Sequence, residues 1–466
     1  MLTLVLAALA AQPLQTPPRQ AMWIYVRPRA DRTATGPGRL MDQCAPDPAA
    51  VRSVLATGAR LRRSSCWLDA ISVDATPEQI ARIRQEEWVR GVEPVRRGHL
   101  APLPPPLLAN EPRNQPQPDF WALDVTGITY AHSLGYTGKG VTIGVIDSGF
   151  STQHEVFAGI QVVAKRDFLQ EDDQVADEPG DPAGQDHHGT QVLALLAGNR
   201  GDTFHGAAPH ARYVLAKTQT IHGDDADEDH FVAAVEWMAA QGVDVISTSV
   251  GFTDEDWPDN LDGKSTAATK VAGKATTHGI EFVAASGNFG PESATLAAPA
   301  DHVRVIAVGA VEPTLDVAGF SSRGPTADNR IKPDLVAPGA WLWSVNPNTT
   351  TEYVPVFGTS HATPLVAGAA ALLVQARKEK GVVFDVRLLL RTTASHAEQP
   401  DPIHGWGLLN LQAALDWVHH HAPSKDLEGC TISNHGSTSG LLGLFCLLWI
   451  RPRRRRNRYS TPRTPS

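Results

Sequence analysis

Cysteine is scarce. Four in 466 residues exclude a small fold held together by disulfides, and no Cys-x-x-Cys spacing offers a thiolate metal site. Cys44 and Cys66 share the first segment and can pair, while Cys430 and Cys446 fall near the end. Long apolar runs are lacking too: the run at 441–450 is about half of the roughly 20 residues that a membrane-spanning helix needs. Positive charge is thin in the middle of the chain. Residues 115–423 carry 18 Lys and Arg against 38 Asp and Glu, a net of −20, between flanks of +5 and +6. So acidic a body excludes nucleic acid as a partner and fits a soluble exported protein beside a basic segment.

The remaining composition, 42% hydrophobic, is that of an ordinary globular protein, and the length allows two or three domains. Residues 1–10 of "MLTLVLAALAAQP" form a short apolar run ending in Ala8-Leu9-Ala10, the cleavage pattern of a secretory signal peptide. No positively charged n-region precedes it, so the signal is minimal or the start codon lies upstream. Residues 21–98 read as a small α+β unit in the order βαββαβ, a ferredoxin-like plan, with Thr76 capping a helix that opens on Pro77. Residues 99–119, "HLAPLPPPLLANEPRNQPQPD", are a proline-rich linker. From 120 to 420, continuous apolar runs alternate with helical stretches: "VTIGVID" (141–147), "ARYVLAKT" (211–218), "VDVISTSVG" (243–251), "IEFVAASGN" (280–288) and "VRVIAVGA" (303–310). Such runs suit parallel strands covered on both faces, so the fold class expected is an α/β doubly wound sheet.

In that architecture sites form at the carboxyl ends of strands. Asp147 ends "VTIGVI", Asn288 follows "EFVAASG", and His188 opens the helical stretch "HGTQVLALLAG". Ser360 lies in "FGTSHATPLVAG" (357–368) near the start of an Ala-rich helix. A serine there is an N-cap or a nucleophile. Read together, the residues supply a nucleophile (Ser360), a base near neutral pH (His188), an orienting carboxylate (Asp147) and an amide donor for a developing oxyanion (Asn288). An α/β-hydrolase esterase needs Gly-x-Ser-x-Gly and a catalytic histidine after the serine; the chain has no Gly-x-Ser-x-Gly, and its motif-bearing histidine, His188, comes before Ser360.

Four stretches in order, "VTIGVIDSGF", "HHGTQV", "AASGNFGP" and "GTSHATPLVAG", together with "FSSRGPTADNRIKPDLVAPG" (320–339), resemble the subtilisin-like serine peptidases, the subtilase family. The resemblance covers 120–420 and implies a serine endopeptidase with Asp147, His188 and Ser360 as triad and Asn288 in the oxyanion hole. It needs no cofactor. His361 departs from the methionine usual after the nucleophile and reads as packing beside the site, and His187 as a solvated neighbour. The family likeness further implies that substrate pairs with "STSVGF" (247–252) and that this strand and "AASG" (284–287) wall the main specificity pocket. Ser249, Val250, Gly251, Ala285, Ser286 and Gly287 then form a small, uncharged lining for apolar P1 side chains of protein or peptide substrates. Residues 21–98 resemble the inhibitory, chaperone-like propeptides of the family, or form a permanent accessory domain. A catalytically weak surface protein on this scaffold is the alternative function.

The acidic runs 171–186 and 224–229 raise calcium as a structural ion without naming ligands, since neither has EF-hand spacing. Residues 421–466 combine Gly429-Cys430, the apolar run and six arginines between Arg451 and Arg458. This three-part pattern is similar to a myxobacterial-type C-terminal sorting signal, with a sorting peptidase as partner and a cell-surface or released product.

Overall fold

Residues 18–28, 46–99, 120–221, 228–253 and 257–422 are described in the computed structural model. The expected signal, most of the linker and the C-terminal segment lie outside them. The first unit runs β1 (Gln20–Val26), α1 (Pro48–Ala56), β2 (Arg60–Ser65), β3 (Ala70–Ala75), α2 (Pro77–Ile83) and β4 (Val89–Pro94). Its strands form an antiparallel sheet in the order β2-β3-β1-β4. Helix α2 begins in a capping box, Thr76 accepting from the Gln79 backbone while the Gln79 side chain accepts from Thr76 N. Helices α1 and α2 cover one face around Ile24, Val54, Ile71, Val73, Ile80 and Ile83.

A two-residue strand, β5 (Gly98–His99), closes this leader unit, and the second unit follows. Its sheet is built from β6 (Thr142–Asp147), β7 (Gln161–Asp167), β8 (Arg212–Lys217), β9 (Val245–Thr248), β11 (Glu281–Ala285), β12 (Ile306–Val311) and β13 (Leu335–Pro338), with β10 (Gly251–Phe252) beyond the end of β9. The order is β13-β12-β11-β9-β6-β8-β7, and every neighbouring pair is parallel. Strand β6 is buried at all six positions, as a strand covered on both faces must be. Helices α3 (His187–Ala197) and α6 (Thr359–Lys380) belong to the core on one face, and α4 (Glu228–Ala240) and α5 (Ala267–Thr277) to the core on the other. This is the doubly wound α/β fold expected from the apolar runs. Two strands escaped that reading: β7 alternates exposed and half-buried residues along the sheet edge, and β13 is only four residues long.

The leader sheet packs against α4 and α5. Trp23, Tyr25, Trp67 and Leu68 share one apolar core with Phe168, Phe231, Val232 and Phe252, and Trp67 stacks on His278 at 4.7 Å. Carboxylates of α4 hold it in register. Asp229 accepts from Arg62 Nε (2.9 Å) and Ser72 Oγ (2.6 Å). Glu236 accepts from Ser65 Oγ (2.5 Å), Trp67 N (3.0 Å) and Cys66 N (3.1 Å). Burial works to raise the Asp229 pKa, and the bonds from Arg62 and Ser72 with the Arg62 charge outweigh it, so the carboxyl lies below its usual range. Cys66 is disulfide-bonded; Cys44 lies outside the described residues. The acidic run at 224–229, offered as a calcium candidate, is described only at Glu228 and Asp229, and both carboxylates pair with the leader, with Arg96 and Arg62.

Candidate active site

Strand β6 delivers Asp147 to the carboxyl edge of the sheet. Its Oδ1 lies 2.7 Å from His188 Nδ1, and Asp147 is fully buried. A carboxylate is the better acceptor here, so the imidazole donates from Nδ1 and keeps its lone pair on Nε2. Close approach depends on Gly189: a Cβ there would strike the Gly149 carbonyl and crowd Asp147. His188 stands in the first turn of α3, and His187 beside it is half-buried.

Ser360 is in the first turn of α6, 3% exposed. The cap residue of that helix is Gly358, with no side-chain capping bond. Ser360 therefore does not serve as N-cap, one of its two sequence readings. Pro364 sits inside the helix and has no N–H to give the carbonyl four residues back. That carbonyl belongs to Ser360, and the Ser249 hydroxyl donates to it instead at 3.0 Å. The proline thus opens an acceptor that ties the strand segment 248–252 to the serine's helix.

Asn288 is held by its oxygen: Oδ1 accepts from Thr359 N and Thr359 Oγ1, both at 2.9 Å. Its Nδ2 is buried without a hydrogen-bond partner, although buried amides are almost always satisfied. Gly358, at φ +135°, passes so close that a Cβ would lie 3.2 Å from Asn288 Nδ2. Thr359, which fixes the amide's orientation, was not singled out by sequence; its only signal is its place between Gly358 and Ser360.

The other expected residues lie on adjoining segments. Ala285 ends β11; Ser286 donates its N–H to Val308 O at 2.9 Å; Gly287 donates to Thr359 Oγ1 at 3.3 Å. Val250 is buried, and Gly251 pairs antiparallel with His99 of the leader while Phe252 pairs with Gly98. The far end of the 247–252 segment, Gly251 and Phe252, is therefore already paired with this chain's own residues.

His361 is buried, its ring edge-on to His188 with centroids 5.7 Å apart. Its Nδ1 bonds the Phe357 carbonyl at 3.0 Å. Burial, then the neighbouring His188, pushes its pKa down to about 3, so it is a neutral wall.

The acidic run at 171–186 has a cation of its own. Lys217, fully buried at the end of β8, reaches Asp167 (2.7 Å), Asp181 (2.7 Å) and Glu178 (3.3 Å). Burial works to lower the Lys217 pKa, and bonds to Asp167 and Asp181 outweigh it, leaving the ammonium more firmly charged than usual. Asp167, Asp172 and Glu178 also lie close enough together to hold a metal ion, but the ammonium already pairs with Asp167 and Glu178. The fit for calcium is poor.

Residues 138–407 match the subtilase family. The chain belongs to the subtilase family. Subtilisin BL of Lederbergia lenta is 32% identical over 297 residues, 63% of this subtilase and 97% of the relative. Serine protease AprX of Bacillus subtilis (strain 168) is 30% identical over 310 residues, 60% of this chain and 67% of the relative. Among solved structures, fervidolysin from Fervidobacterium pennivorans, a keratinolytic enzyme related to subtilisin, superposes with a TM-score of 0.64 at 20% identity. That match covers 85% of this chain, which spans 61% of the fervidolysin chain, and it bears on the fold alone. The subtilase is accordingly a serine endopeptidase, a hydrolase acting on protein or peptide substrates.

Proposed function

We propose that this subtilase cuts peptide bonds with Ser360 as nucleophile, His188 as base, Asp147 as orienting carboxylate and Asn288 as oxyanion donor. The observation that carries the reading is the Asn288 amide: pinned through Oδ1, with a buried Nδ2 that nothing satisfies. Such a donor is worth most when a negative oxygen arrives, which makes it selective for the tetrahedral intermediate over the substrate. As Ser360 Oγ attacks the carbonyl carbon, its proton goes to His188 Nε2; Asp147 stabilises the imidazolium; the proton then passes to the leaving amine. Substrate pairs along 249–251 and places an apolar P1 side chain among Ser249, Gly251, Ala285 and Gly287.

The leader acts as an inhibitor in this reading, because β5 pairs with Gly251 and Phe252, overlapping at Gly251 the edge that substrate would use, and its net positive charge meets an acidic body. The signal-like start and the Cys430–arginine tail support export and surface sorting by a C-terminal sorting peptidase. No metal or cofactor takes part in the steps above. Casein turnover by the processed enzyme tests the assignment. Ser360→Ala and His188→Ala variants that keep the parent's melting transition lose nearly all activity, and a fluorophosphonate labels the parent but not Ser360→Ala. Activity within tenfold of the parent in either variant would refute it and favour a surface protein on the scaffold.

A further inference from the structure

We infer that Gln185 is a positioning residue for the Asp147–His188 pair, a role that rests on the proposed triad. Gln185 is fully buried and stands three residues before His188. Its Nε2 donates to Ser148 O at 2.5 Å and to Gln219 O at 2.7 Å, and its Oε1 accepts from Ile221 N at 3.0 Å. Each polar atom of the amide is thereby used. Two carbonyls on one side and an N–H on the other fix which way it points.

The three chains it joins are those whose relative position sets the 2.7 Å contact. Ser148 follows Asp147; Gln219 and Ile221 lie just past β8, where Thr218 N donates to Asp147 O at 3.1 Å; Gln185 itself leads into α3. The segment behind it is braced separately, with Asp186 N on Asp177 Oδ1 (2.7 Å) and Asp177 N on Asp186 Oδ2 (3.2 Å). Gln185 therefore fixes the start of α3 to the end of β6, as one amide spanning a gap between backbones. Displacements of about 1 Å at reacting groups cost on the order of 100-fold in rate, so the brace acts on kcat more than on substrate binding.

Two substitutions of similar size separate this role from bulk stability. Gln185→Met removes the three bonds. Loosening of the histidine–carboxylate contact destabilises the imidazolium, so the acid limb of kcat/KM moves to lower pH and kcat falls by about tenfold or more, with KM within about threefold. Gln185→Glu keeps the shape but sets a carboxylate against two carbonyls. A buried anion near His188 favours the imidazolium, so the limb moves to higher pH while kcat also falls. Should Gln185→Met fail to fold, Gln185→Asn, one methylene short, gives a smaller fall in kcat and the same direction of limb shift. Limbs that stay in place with losses matching the unfolded fraction overturn the proposal and leave a merely structural glutamine. A Ser360→Ala chain that still turns over the peptide would instead sink the triad itself.

Discussion

Glu236→Ala should release the leader. Glu236 is 7% exposed and receives three hydrogen bonds from consecutive leader residues, Ser65 to Trp67. A hydrogen bond to a charged group contributes about 1.5–3 kcal/mol, but three on one carboxylate do not add. Removing the shared acceptor leaves neutral donors buried and unpaired, at a cost of about 1–3 kcal/mol. At about 1.4 kcal/mol per tenfold, this is roughly a 5–100-fold weaker grip. The assay adds residues 18–99 as a separate chain to the processed peptidase and reads Ki from the rate of peptide hydrolysis. The free variant should hydrolyse at the parent's rate, since Glu236 bonds the leader and not the Asp147–His188–Ser360 group. Glu236→Gln, which keeps one acceptor oxygen, falls between. A Ki within threefold of the parent for Glu236→Ala would show that the apolar interface alone holds the leader and that this reasoning is wrong.

Asn288→Ala should lower kcat by about 10²–10³-fold, the loss known for a side-chain oxyanion donor in subtilisin itself, with KM nearly unchanged; an unaltered kcat would move the oxyanion role elsewhere. Lys217→Ala leaves three carboxylates without their ammonium and should cost about 3–5 kcal/mol, a fall in melting temperature on the order of 10 °C. Millimolar calcium should recover part of it in the variant only. A chelator that destabilises the parent would show that a metal sits there after all. His361 stays neutral above about pH 4, so kcat/KM should fall with a slope of one proton on the acid side; a slope of two would contradict the neutral wall. Its depressed pKa, about 3 against about 6.5 when unfolded, means that the unfolded chain binds more protons between those values. Stability should therefore decrease as pH drops through that window, by up to about 1.4 kcal/mol per unit, measured by denaturant midpoints.

The doubly wound core was legible because buried parallel strands must be apolar throughout: β6, β8, β9 and β11 fall inside such runs, and β12 overruns its run by one residue, Val311. The edge strand β7 was not, since one exposed edge lets charged residues such as Lys165 and Arg166 alternate through it. Asp147, His188, Asn288 and Ser360 stood out in the sequence because each ends or closely follows a strand or opens a helix, where the architecture concentrates polar groups. Gln185, Thr359 and Lys217 could not. A glutamine that satisfies three backbones looks like any loop glutamine until the strands are in place. The Lys217 ammonium lies 36 positions from one of its carboxylate partners, Asp181, and a run of acids reads as a solvated or metal-binding loop when its counter-ion is remote.

The leader's apolar seat on α4 and α5 has a bearing on handling of the protein. Trp67, Leu68, Trp23 and Tyr25 cover Phe231, Val232 and Phe252, so on the proposed inhibitor reading a peptidase freed of the leader would present a greasy face that the intact chain hides. Exposed apolar patches favour self-association. On that reading the intact chain would be the form suited to concentration and storage, and the liberated enzyme the form that clumps, adheres to surfaces or digests its own neighbours once crowded.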